Sequence, residues 1–228
     1  MIYFIKARVL KRISFILGIC FCFNLFAGEI HETLPSTIDK NASYVFYSHG
    51  FIVEGDNPRP VHKRWGVYDF IAVKEALSDS SYHLIATHRP EKTDPFIYSE
   101  QLTSQVNKLI EHGVPASNIS LVGFSRGGFI TAITSSKLAN KEVNFVILAA
   151  CTSGLAKRSE IQIHGHLLSI FETTDTVGSC NDVVARKPEL VRSYKELSIT
   201  TNKEHGAFYR PIDEWLVPVK EWLKRNKH

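Results

Sequence analysis

Ser125 lies in Gly123-Phe124-Ser125-Arg126-Gly127-Gly128, between a β-rich run, Ile119–Val122, and a helical pattern of Phe129, Ile130, Ala132, Ile133 and Leu138. Strand, sharp glycine turn and helix around G-x-S-x-G is the setting of a nucleophile elbow. A hydroxyl is a poor nucleophile at neutral pH, so a reactive serine must stand clear of the sheet, meet a base and sit beside backbone N–H donors. Glycines on both sides remove the side chains that would collide, and so let Ser125 take strained backbone angles.

The elements that must position it can be read from the pattern. Strand-type runs occur at Tyr44–Ser48, His83–Thr87, Ile119–Val122, Asn144–Ala149, His166–Phe171 and Tyr194–Ile199, and helical spacing at Val67–Leu77, Ser99–His112, Gly127–Ala139 and Pro211–Lys224. Gly113 and Pro115 mark the end of the second helix, and Pro218 is expected to kink the last. Alternation of strand and helix predicts an α/β class: one domain with a mostly parallel central sheet and helices on both faces. Residues 29–43 read as a lead-in that includes an edge strand, and no internal repeat or linker divides the chain.

In such sheets the ligand site lies beyond the carboxyl ends of the strands. That rule sorts the four His-Gly pairs. His112 ends a helix and His164 precedes a strand, which puts both at the far end, whereas His49 and His205 each follow a strand. An acid and then a histidine should follow the nucleophile in this architecture. Asp175 comes just after the strand His166–Phe171, and His205 follows Tyr194–Ile199. Ser125, His205 and Asp175 therefore form the expected triad, with His205 as general base and Asp175 holding its tautomer. Glu172, closer to the strand, is the rival acid. The oxyanion-hole N–H groups are assigned to Arg126, the residue after the nucleophile, and to Phe51, after Ser48-His49-Gly50. His49 reads as a loop-shaping residue.

The ordered set Ser48-His49-Gly50-Phe51, Gly123-Phe124-Ser125-Arg126-Gly127, Asp175 and His205-Gly206 resembles the α/β-hydrolase superfamily over nearly all of residues 44–226. The stretch from His205 to Pro211, leading into a helix with Trp215 and Trp222, is similar to the end of compact bacterial esterase-like members. The resemblance implies hydrolysis of an ester or related acyl bond in a small-molecule substrate, through an acyl-enzyme and without a cofactor. Many members carry a helical cap after the strand equivalent to Asn144–Ala149, yet only about 15 residues separate that strand from the next here, so the site is expected to be open, without a cap domain, and suited to a short or polar acyl group. The loop Ile52–Trp65 is expected to rim it, with Arg59, Arg64 and Arg89 as candidate partners for a substrate anion. Peptidase and acyltransferase chemistry on the same triad, and a non-catalytic binding protein that keeps the fold, remain open alternatives.

Residues 1–28 stand apart. Lys6, Arg8, Lys11 and Arg12 precede an apolar run from Ile13 to Phe26 that ends at Ala27-Gly28, the layout of a signal peptide, which leaves residues 29–228 as the domain and predicts an exported, periplasmic or secreted protein. The run is shorter than the ~20 residues of a spanning helix, so no stable membrane insertion is expected after cleavage. Cleavage removes four of the 27 Lys and Arg residues and leaves 23 against 23 Asp and Glu, which withdraws any bulk-charge argument for nucleic acid. It also removes Cys20 and Cys22. Cys151 and Cys180, each just past a predicted strand, are then a candidate disulfide. No zinc ligand motif is present, His164 and His166 read as surface histidines, and Gly127-Gly128 lacks the Lys-Ser/Thr of a P-loop. Oligomeric state is not legible.

Overall fold

The computed structural model describes residues 28–225. The predicted signal segment lies outside the described residues except for Gly28. Seven strands form one sheet: β1 (Ile30–His31), β2 (Tyr44–Ser48), β5 (His83–Ile85), β6 (Ile119–Phe124), β7 (Asn144–Leu148), β8 (Gly165–Glu172) and β9 (Val191–Ile199). Their order is β1-β5-β2-β6-β7-β8-β9 and every neighbouring pair is parallel. β3 (Val61–His62) and β4 (Gly66–Val67) form a separate antiparallel ribbon inside the loop after β2.

Alternation along the strands feeds two cores. Tyr44, Phe46, Phe145 and Ile147 face one, packed under α2 (Pro95–Glu111) and α3 (Arg126–Leu138), and Val45, Tyr47, Val146 and Leu148 face the other, under α1 (Phe70–Leu77) and α6 (Asp213–Lys224). The central strands are buried on both faces, which is why they read as apolar runs rather than strict alternation. Two short helices, α4 (Ser153–Ala156) and α5 (Asn181–Val184), complete the chain. α4 is the helical element between β7 and β8, so no cap is inserted there.

Predicted element boundaries shift where local chemistry intervenes. The first helix starts at Phe70 rather than Val67, because Val67 pairs with Val61 in the ribbon and Asp69 caps the Ala72 N–H. α2 starts at Pro95, four residues earlier than the apolar spacing suggests, because Asp94 accepts from the Phe96 and Ile97 N–H groups. It ends before Gly113, whose φ of 88° suits a glycine. α6 runs through Pro218 and buries Trp215, Val219 and Leu223, while Trp222 is only partly covered.

The chain moves from β2 outward to β5 and then returns across β2 to β6. The order of connection therefore reverses between β2 and β6, and the crevice at their carboxyl ends is the topological switch point where such sheets bind ligands.

Candidate active site

Ser125 occupies the single-residue turn between β6 and α3 with φ 54° and ψ −118°, a strained conformation for a residue with a side chain. Its N–H donates to the Leu148 carbonyl of β7. The flanking glycines are demanded by contact. A Cβ on Gly127 would sit 1.9 Å from the Ser48 carbonyl oxygen, and one on Gly123 would sit 2.2 Å from that of Gly127. The elbow is thus pressed against the end of β2, which brings the Phe51 and Arg126 segments together.

Around Ser125 the predicted acid and base converge. His205 Nε2 is 2.8 Å from Ser125 Oγ, and His205 Nδ1 is 2.6 Å from Asp175 Oδ2. Asp175 is nearly closed off from solvent. The imidazole lies against the rings of Phe124 and Trp65 at centroid distances of 4.8 and 5.3 Å. Nδ1 facing a carboxylate and Nε2 facing a hydroxyl is the arrangement that lets a histidine take and return the serine proton.

Glu172 does not reach His205. Its buried carboxylate accepts from the Thr174 N–H and hydroxyl on the loop after β8, and from the Thr201 and Asn202 N–H groups on the loop after β9. Burial pushes its carboxyl upward, but these donors outweigh burial and hold it at about 2. Glu172 therefore ties together the two loops that carry Asp175 and His205.

His49 is fully buried. Its Nε2 accepts from the Arg89 N–H at 2.9 Å, so Nδ1 carries the proton and donates to the Gly50 carbonyl at 2.8 Å. Burial first, and then the Arg89 cation, hold it well below the usual imidazole range. It shapes the loop that carries Phe51. Tyr68 adds to this: its hydroxyl accepts from the Gly50 N–H, and burial raises it to about 12.

None of the three arginines lines the cavity that opens on Ser125. Arg89 is completely buried, with its guanidinium bonded to the His49 carbonyl and facing Glu54, and this corrects the expectation that it meets substrate. Arg59 pairs with Asp69 at 2.9 Å. Arg64 pairs with Glu204 and lines a neighbouring cavity that shares Trp65 and Tyr209 with the one at Ser125. The residue that sequence reasoning missed is Glu54. Its side chain, 2% exposed, lies 3.1 Å from Arg126 Nε and 3.5 Å from Arg89 Nε, and the Arg126 guanidinium covers the Phe51 ring at 5.0 Å. A glutamate one residue before a glycine in a polar loop carries no sequence signal of burial.

The cavity that opens on Ser125 has a volume of about 220 Å³ and is walled by Phe51, His62, Trp65, Tyr68, Phe124 and Tyr209. Cys151 and Cys180 form a disulfide between the segments that follow β7 and β8. No described helix is long and apolar enough to cross a membrane.

No protein-family profile and no curated protein matches the chain. Solved structures do. The chain is similar to a hormone-sensitive lipase from a metagenome library (14% identity, 80% of this chain and 76% of the other, TM-score 0.58). It is also similar to an arylesterase (13% identity, 84% and 78%, TM-score 0.56). Est1E from Butyrivibrio proteoclasticus, solved with ferulic acid bound, matches at 13% identity over 85% of this chain and 91% of its own, with a TM-score of 0.52. At these identities the likeness is one of architecture: the chain has the α/β-hydrolase fold.

Proposed function

We propose that the protein is an exported serine hydrolase that cleaves carboxylic esters or thioesters of small acyl groups. The observation that carries this reading is the continuous Ser125–His205–Asp175 chain, at 2.8 and 2.6 Å, with its serine on a strained elbow. Ser125 Oγ attacks the substrate carbonyl while His205 Nε2 takes its proton, and Asp175 stabilises the imidazolium. The oxyanion is received by the N–H groups of Phe51 and Arg126. The tetrahedral adduct then expels the alcohol or thiol, which His205 protonates, and leaves the acyl group on Ser125. Water, deprotonated by His205, attacks the acyl-enzyme; the acid departs and Ser125 recovers its proton.

Substrate size follows from the cavity. A volume of about 220 Å³ lies below the usual range of drug-sized sites, and its walls are aromatic faces, which suits a short or flat aromatic acyl group. The absence of a cap between β7 and β8 supports direct access from solvent. Export through residues 1–28 fits the Cys151–Cys180 bridge, since such bonds persist in oxidising compartments.

The test is hydrolysis of p-nitrophenyl esters, from acetate to dodecanoate and including an aryl ester, by the purified protein and by Ser125→Ala. Activity on short or aryl esters that disappears in the variant supports the proposal. No turnover of any ester, together with no labelling of Ser125 by a fluorophosphonate, would sink it and leave a non-catalytic role for the fold.

A further inference from the structure

At the other end of the sheet, two imidazoles and a carboxylate meet on one face. Glu29 and His31 are two residues apart across the start of β1, so their side chains share a side. β1 pairs with β5 in the register Ile30 to Leu84, and the Leu84 N–H donates to the Glu29 carbonyl, which sets Glu29 beside His83. His31 Nε2 lies 3.2 Å from His83 Nδ1 and 3.5 Å from Glu29 Oε2, and His83 Nδ1 lies 3.9 Å from Glu29 Oε2. These atoms form a closed triangle, all within 4.8 Å of one another.

We propose that Glu29, His31 and His83 bind a divalent transition metal of the zinc type, with the fourth position left to water. Bonds of about 2.0–2.1 Å in tetrahedral geometry place neighbouring ligand atoms about 3.3–3.4 Å apart. Two edges of the triangle already have that length, and the third needs a few tenths of an ångström of side-chain movement. Two nitrogens and one carboxylate oxygen suit zinc rather than calcium or magnesium, which take oxygen sets. The ligands stand on a braced frame. The His83 N–H donates to the Ser43 carbonyl, and the His83 ring stacks on Tyr44 at 5.2 Å. A solvent-open cavity lined by Gly28, Glu29, Ala42, Ser81 and His83 supplies an entry path. Sequence spacing could not reveal the group, because 52 residues separate His31 from His83.

The consequence is structural. β1 is two residues long and lies at the edge of the sheet, so an ion bridging it to β5 would staple the N-terminal segment to the domain. Because the site lies at the amino end of β5 while Ser125 follows the carboxyl end of β6, hydrolytic activity need not depend on it.

The experiment is calorimetric titration of the EDTA-treated, dialysed protein with ZnCl₂, repeated on His31→Gln, His83→Gln and the double variant. One equivalent should bind, and each single change should weaken it at least about tenfold, the loss that follows removal of even an outer ligand partner. Added zinc should raise the thermal midpoint of the parent protein but not that of the double variant. Circular dichroism and ester hydrolysis report whether the variants fold. If they do not, Co²⁺ added to the parent protein decides: four-coordinate d–d bands support the site and their absence overturns it. No binding, or an equivalent that survives in the folded double variant, also overturns the proposal.

Discussion

Replacing Glu54 by glutamine removes the carboxylate that lies between two guanidinium groups and changes almost nothing in shape. The contacts to Arg126 and Arg89, at 3.1 and 3.5 Å, are each worth roughly 5 kcal/mol gross at an effective dielectric near 20. Most of that is offset by desolvation, since Glu54 is 2% exposed and Arg89 is fully buried. Removing one partner leaves Arg89 an uncompensated buried cation, a loss of about 3–5 kcal/mol. Against a total stability of about 5–15 kcal/mol, this should be plain in the urea midpoint at unchanged slope.

The same change should reach the chemistry. Arg126 is held by Glu54 and by the Thr93 carbonyl, and its guanidinium lies over Phe51, so Glu54 fixes the spacing of the two proposed oxyanion donors. Misplacement of a reacting group by an ångström costs up to about 10²-fold, so kcat should fall at least about tenfold with KM little changed. The pair Glu54→Leu with Arg89→Met should recover stability, because an apolar replacement of a buried ion pair is often neutral, yet leave kcat low, because Arg126 still lacks its anchor. A Glu54→Gln protein within about 0.5 kcal/mol of the parent would refute the energetic reasoning. Full kcat in a destabilised variant would refute the positional one.

Other outcomes follow from the same geometry. Asp175→Asn should lower kcat by about 10⁴-fold, the cost of losing the correct histidine tautomer, whereas Glu172→Gln should act mainly through stability, with a far smaller loss of kcat from the loosened loops; equal kinetic effects would reopen the choice of acid. Glu172, held at about 2 against an ordinary 4.5, stabilises the fold above pH 4.5 and loses that contribution as pH falls through about 2. The thermal midpoint of Glu172→Gln should therefore trail the parent at pH 7 and converge with it in acid; a gap that widens on acidification would contradict the assignment. Replacing Cys151 and Cys180 by serine should cost about 3–4 kcal/mol for a sequence separation of 29, read from urea unfolding with and without reductant. Gly127→Ala, whose Cβ would meet the Ser48 carbonyl, should abolish both the folded elbow and the proposed ester hydrolysis; a soluble, active variant would show that the β2 loop can yield.

What the sequence disclosed and what it hid divide along one physical line. The central strands were legible because they are buried on both faces and therefore largely apolar, and the elbow was legible because close backbone approach admits only glycine. The convergence of Asp175 and His205 on Ser125 could be anticipated from chain order and strand ends alone. Arg89 was misplaced because an arginine after a strand looks like surface until its partner is known, and that partner, Glu54, stands 35 positions earlier. Glu172 looked like a rival acid because its hydrogen-bond donors are mostly backbone groups, which leave no trace in residue type. Contacts between distant side chains, and between side chains and backbone, are what a linear pattern cannot carry.

The placement of these hidden contacts has its own logic. With no cap inserted between β7 and β8, the loops of the proposed active site must have their positions fixed by cross-ties before substrate arrives. Glu54 binds the loop after β2 to the elbow after β6, the Cys151–Cys180 bridge links the segments after β7 and β8, and Glu172 joins the loops after β8 and β9. The Ser125 N–H bond to Leu148 completes the series between β6 and β7. Each neighbouring pair of carboxyl-end segments from β2 to β9 is thereby tied to the next by a buried carboxylate, a covalent bond or a backbone hydrogen bond. Loosening any one tie should disturb the geometry at Ser125 more than its distance from the hydroxyl suggests, because the loops it joins carry the three members of the Ser125–His205–Asp175 chain or its proposed oxyanion donors.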